Sequence, residues 1–120
     1  MPKILIIEDE PNIRKFISVN LAARGYEVLE APDGTQGLEL LRTAAPAALL
    51  LDIKLPDMSG WELLAILAAE PLYPQIPVIV ITASLGNTHP EKVTYKNLRK
   101  VLSKPVSIQE LTREVSAILT

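Results

Sequence analysis

LLLDIKLPDMSG, residues 49–60, decides how this chain folds. With Ala48 in front, Leu49–Leu51 make an apolar run without polar alternation, the pattern of a strand covered on both faces. The run ends on Asp52, and another apolar residue, Ile53, follows. A polar group buried without a partner costs about 2–7 kcal/mol, so an acid at the tip of the most apolar run needs a reason. Ser59 then opens a helix over 59–70, with Glu62 three residues on at the spacing of a capping box. The segment reads as buried strand, acid, short loop, helix.

The same alternation runs outward in both directions. ILII (4–7) and PVIVITA (77–83) are further buried-strand runs, YEVLEA (26–31) leans to strand, and a short strand is expected around 100–103. Between these lie helical stretches. In 11–25, Ile13, Phe16, Ile17 and Leu21 share a face, with Pro11 near the start and Gly25 as the stop. In 34–45, Leu38, Leu41 and Ala45 point inward. In 107–119, Ser107 is the cap, Glu110 follows at capping-box spacing, and Ile108, Leu111, Val115 and Ile118 share a face. A short helix is expected after Pro90, in a region from Ser84 to Leu102 where the pattern is weak. Five strands alternating with five helices predict an α/β fold, a three-layer α/β/α sandwich around a five-stranded parallel sheet.

Composition excludes several classes. The chain has 120 residues, a length that suits one domain over 1–120, and 48% of them are apolar, which argues against disorder. The net charge is −2, so the basic residues gathered late, among them Lys92, Lys96, Arg99 and Lys100, give no broad footprint for nucleic acid. There is no cysteine, hence no disulfide, thiolate metal site or thiol nucleophile. The opening MPKILIIEDE has too short an apolar run, closed by three acids, for a signal peptide. No run approaches the ~20 apolar residues of a membrane span. A cytoplasmic protein is expected.

In a parallel sheet all strand ends share one edge, and ligands bind there, where strand order reverses. The first strand runs into Glu8-Asp9-Glu10, the third into Asp52, the fourth ends at Thr82 and the fifth near Lys104. With strands one and three as neighbours, Glu8, Asp9 and Asp52 converge and repel one another unless a cation is present. A hard, oxygen-loving divalent ion such as Mg2+ answers that repulsion. Thr82 and Lys104 then offer donors to an anion. A metal, a cation and positioned donors around a carboxylate nucleophile are the parts needed for phosphoryl transfer.

These residues resemble the receiver domain of two-component response regulators, over essentially the whole chain. ILIIEDEPNIR is similar to the family's opening strand and acidic pair, LLLDIKLPDMSG to its phosphoacceptor segment including Pro56 and Gly60, and VIVITA and VLSKPVS to its threonine and lysine–proline segments. The resemblance implies a flavodoxin-like strand order, 2-1-3-4-5, and a cis bond between Lys104 and Pro105. It implies that Asp52 takes a phosphoryl group from a phosphohistidine of a sensor histidine kinase or phosphotransfer protein. Asp9 would hold Mg2+ directly, Glu8 mainly through water, and the backbone carbonyl of Lys54 would add a ligand. Lys104 would pair with Asp52 and then with the phosphoryl group, and Thr82 would bond a phosphoryl oxygen. Output, to a further domain or a second copy, would use the face of the fourth helix, fifth strand and fifth helix.

The departures from the family cluster on that face. Val101 stands where receivers usually carry an aromatic residue three before the lysine, TYKNLRKV replaces the usual Gly-Ala turn, Tyr95 does not match the aromatic position, and Val106 follows Pro105. They leave the chemistry in place and bear on the output. The alternative reading is a phosphate-independent interaction module of the same fold. A phosphatase using an aspartyl phosphate would want a second acid at Lys54, so the chain is read as a phosphoacceptor and not an enzyme. No helix-turn-helix or catalytic output module is legible, which fits a single-domain regulator or part of a longer chain.

Overall fold

The fold was obtained as a computed structural model, which describes residues 1–71, 73, 75–83 and 97–119. In chain order the elements are β1 (Lys3–Ile7), α1 (Pro11–Ala23), β2 (Glu27–Ala31), α2 (Gly34–Thr43), β3 (Ala48–Leu51), α3 (Gly60–Ala69), β4 (Val78–Thr82), β5 (Leu98–Ser103) and α4 (Ile108–Leu119). The strands form one parallel sheet in the order β2-β1-β3-β4-β5. The expected helix after Pro90 lies outside the described residues, as does Tyr95.

Successive strand side chains point to opposite faces, which explains why wholly apolar strands were needed. Leu5, Ile7, Leu49, Leu51, Val78 and Val80 fall in one core cluster with Leu41 of α2 and Leu63 and Leu67 of α3. Ile4, Ile6, Leu50, Ile79 and Ile81 fall in the other with Ile17 and Leu21 of α1 and Leu111 and Val115 of α4. Each fully buried side chain of this kind contributes about 1.5–3 kcal/mol, and β1, β3 and β4 supply most of them.

Local signals set the helix ends. At α3 the Ser59 side chain accepts from Trp61 N–H and Ser59 N–H donates to Glu62, the capping box read in the sequence. At α4, Ser107 Oγ accepts from Glu110 N–H at 3.1 Å. At α2 the cap is Asp33, whose side chain accepts from Gln36 N–H. Gly37 sits where a Cβ would collide with the Ile7 side chain, so α2 lies close on β1.

Two inward assignments need correction. Phe16 is 49% exposed. The inner stripe of α1 is Ile17 and Leu21, four residues apart, with Ile13 partly buried, and Phe16 lies on its flank. Ala45 is exposed and lies beyond the end of α2 with φ of +49°, so it turns the chain rather than filling the core. Trp61, at the start of α3, is buried in the cluster that packs α2 and α3 on the sheet.

Candidate functional site

Strand order reverses between β1 and β3: the chain leaves β1 to one side for β2 and returns on the other for β3. Ladder hydrogen bonds carry the pairing one residue past the strands. Glu8 N–H donates to Ala31 O at 3.1 Å, Asp52 N–H to Ile7 O at 3.0 Å, and Lys104 N–H to Thr82 O at 3.0 Å. The sheet therefore fixes the backbone of three site residues directly.

Glu8, Asp52 and Thr82 are buried, 2%, 6% and 1% exposed, whereas Asp9 is exposed. Lys104 Nζ lies 2.8 Å from Glu8 Oε1 and 2.8 Å from Asp52 Oδ2. This answers the cost of the buried acid: one ammonium bridges both carboxylates. The Lys104–Pro105 bond is cis, as the resemblance implied. Glu8 also accepts from Glu10 N–H at 3.1 Å.

The electrostatics follow from this crowding. Burial pushes the Glu8 carboxyl up to about 7, with the Asp52 charge adding to the rise and the Lys104 and Glu10 hydrogen bonds opposing it. For Lys104 burial works downward, but its hydrogen bonds to Asp52 and Glu8 outweigh it and raise the ammonium above its ordinary value. Two buried acids thus share one cation, which leaves the cluster short of positive charge.

A divalent ion would supply that charge. Glu8, Asp9 and Asp52 each offer a carboxylate oxygen, all within 4.8 Å of one another. An all-oxygen, carboxylate-rich donor set fits Mg2+. The loop after Asp52 is held in place beside it: Gly60 N–H donates to Ile53 O at 2.8 Å, and Lys54 pairs with Ser59 in a short antiparallel bridge. At Gly60 a Cβ would lie 2.6 Å from Asp52 O, so this approach of α3 to the site requires glycine.

Sequence reasoning missed two supports. Arg14 Nη1 donates to Glu8 O at 2.8 Å, while its Nε pairs with Glu30 at 3.2 Å and Ser18 Oγ donates to the other Glu30 oxygen. Asp57 binds the start of α2 through three hydrogen bonds. Both are contacts between residues more than fifteen apart or across elements, and no periodicity encodes them. Beside the site, α1 and the β5–α4 connection line an apolar groove of about 500 Å³, with Ile13, Phe16, Pro105 and Val106 in its walls and Lys104 at its edge.

The response regulator receiver domain family matches residues 4–116. The sensor histidine kinase TmoS of Ectopseudomonas mendocina is 34% identical over 99% of this chain but only 12% of its own length. Protein PilH of Pseudomonas aeruginosa is 30% identical over 99% of this chain and 98% of its own. A crystal structure of a CheY-like receiver domain protein from Methanospirillum hungatei superposes with a TM-score of 0.86 at 30% identity, covering 99% of this chain and 94% of that one. The chain spans half or less of the first curated relatives it matches.

Proposed function

Since this chain belongs to the response regulator receiver domain family of two-component signalling, we propose that it is a phosphoacceptor, with Asp52 as the residue phosphorylated. An Asp52 carboxylate oxygen attacks the phosphorus of a phosphohistidine, the P–N bond breaks with its electron pair left on the imidazole, and an acyl phosphate forms on Asp52. The observation that carries this reading is Asp52 at the switch point, 2.8 Å from Lys104 and grouped with Glu8 and Asp9.

The other residues have separate tasks. Lys104 holds Asp52 and Glu8 together before transfer and donates to a phosphoryl oxygen after it. Thr82, at the end of β4, offers its hydroxyl to another phosphoryl oxygen. Asp9, Asp52, the Lys54 carbonyl and, through water, Glu8 would hold Mg2+, which when bound neutralises charge on the transferring phosphoryl group. The group ends on the protein, so the chain is a signalling phosphoprotein and not a turnover enzyme. We assign residues 1–120 to one receiver domain acting in the cytoplasm, with a response on the face carried by β5 and α4.

The donor is a protein, a sensor histidine kinase or phosphotransfer protein. The apolar groove with Phe16 on its wall supports this, because among the described residues it leaves apolar surface exposed next to Lys104, the partner of Asp52. The test is incubation with phosphoramidate or acetyl phosphate and Mg2+. The intact protein is expected to gain one phosphoryl group by mass, and Asp52→Asn none. An unmodified protein under those conditions would favour the phosphate-independent module.

A further inference from the structure

The N-terminus of α2 is satisfied by two carboxylates rather than one. Asp33, its own cap, accepts from Gln36 N–H at 2.8 Å. Asp57, from the loop between β3 and α3, covers the two preceding donors: Oδ1 accepts from Gly34 N–H at 2.9 Å, and Oδ2 from Thr35 N–H at 2.8 Å and Thr35 Oγ1 at 2.6 Å. With both oxygens engaged, the Asp57 carboxylate has a fixed orientation. Its neighbour Met58 lies so close to Gly34 that a Cβ there would be 2.6 Å from the Met58 side chain. A hydrogen-bonded clamp and a packed contact therefore tie the same loop to α2.

That loop carries Lys54. Its two ends are fixed by the sheet at Asp52 and by Gly60 N–H on Ile53 O, and its middle is fixed by Asp57. Resting on the receiver reading of the site, we propose that Asp57 is a positioning residue: by anchoring the loop to α2 it holds the Lys54 backbone in place for the metal beside Asp52. The two capping acids then differ in kind. Losing Asp33 removes a cap from α2 and leaves the loop's tether intact; losing Asp57 removes a cap and the hydrogen-bonded part of the tether, leaving the Met58 contact to hold the loop to α2.

The experiment compares Asp57→Ala with Asp33→Ala, measuring melting temperature and Mg2+ affinity from amide shifts in a MgCl2 titration. Both variants should melt lower. Only Asp57→Ala should weaken Mg2+ binding, by about tenfold, the lower end for a residue that orients a metal ligand. Asp57→Asn, which keeps one acceptor oxygen, should fall between. Equal Mg2+ affinities in the two alanine variants would overturn the positioning role while leaving the receiver reading intact. A wild-type protein that neither binds Mg2+ nor takes a phosphoryl group from phosphoramidate would overturn both.

Discussion

Glu8 is the residue on which pH should act. Buried and beside Asp52, its carboxyl titrates near 7 instead of 4.5. Between those values the folded protein holds a proton that the unfolded chain has lost. The stability this group contributes is therefore full below about 4.5 and falls away as pH rises through about 7. The shift corresponds to about 3–3.5 kcal/mol across that window. Metal-free protein should unfold at lower denaturant concentration at pH 8 than at pH 5, and Glu8→Gln should flatten that dependence. Mg2+ competes with the proton, so its affinity should rise with pH over the same range. Parallel pH slopes for wild type and Glu8→Gln would rule out Glu8 as the titrating group. The acid itself was legible in the sequence, since it follows an apolar strand directly. Its charge state was not, because that depends first on how deeply the folded site buries it and then on Lys104 and Asp52, ninety-six and forty-four positions away in the chain.

At the scale of elements, the strands were legible because burial on both faces leaves no polar position in them, and α3 because its capping box is written in four consecutive residues. The end of α2 was not. Alanine is the best helix former, so TAAPAA gave no reason to stop before Pro46, and no glycine marks the turn. The chain nonetheless takes Ala45 into the left-handed region at φ of +49°, a conformation that costs an L-residue roughly 1–2 kcal/mol. Glycine adopts it without that penalty but loses more freedom on folding, about 0.5–1 kcal/mol. Ala45→Gly should therefore stabilise by about 0.5–1 kcal/mol, measured as an increased midpoint in urea with an unchanged slope. The residue is exposed and remote from the carboxylates, so phosphorylation should be unaffected. A lower midpoint would mean that the turn at Ala45 is not strained.

For the molecule as a whole, the parallel sheet and the gathering of Glu8, Asp9, Asp52 and Lys104 at one edge followed from the sequence, but strand order came only with the resemblance, because periodicity says which face a strand buries and not which strand it neighbours. Phe16 shows the same limit from outside. Its spacing fits the inner face of α1, yet it stands at the wall of the groove that reaches Lys104. On the phosphoacceptor reading proposed above, a small phosphodonor would need only the carboxylate, metal and lysine, whereas a protein donor would also have to dock its phosphohistidine, and aromatic side chains are enriched at the core of such contacts. Phe16→Ala should leave the rate with phosphoramidate within about twofold and slow transfer from a phosphorylated histidine kinase by about tenfold or more, the effect of losing roughly 1.4 kcal/mol or more at an anchor. The half-exposed side chain adds little to the core, so the melting temperature should change little. Equal slowing with both donors would place the effect in the site itself, and an unchanged rate with the kinase would remove the groove from the docking surface.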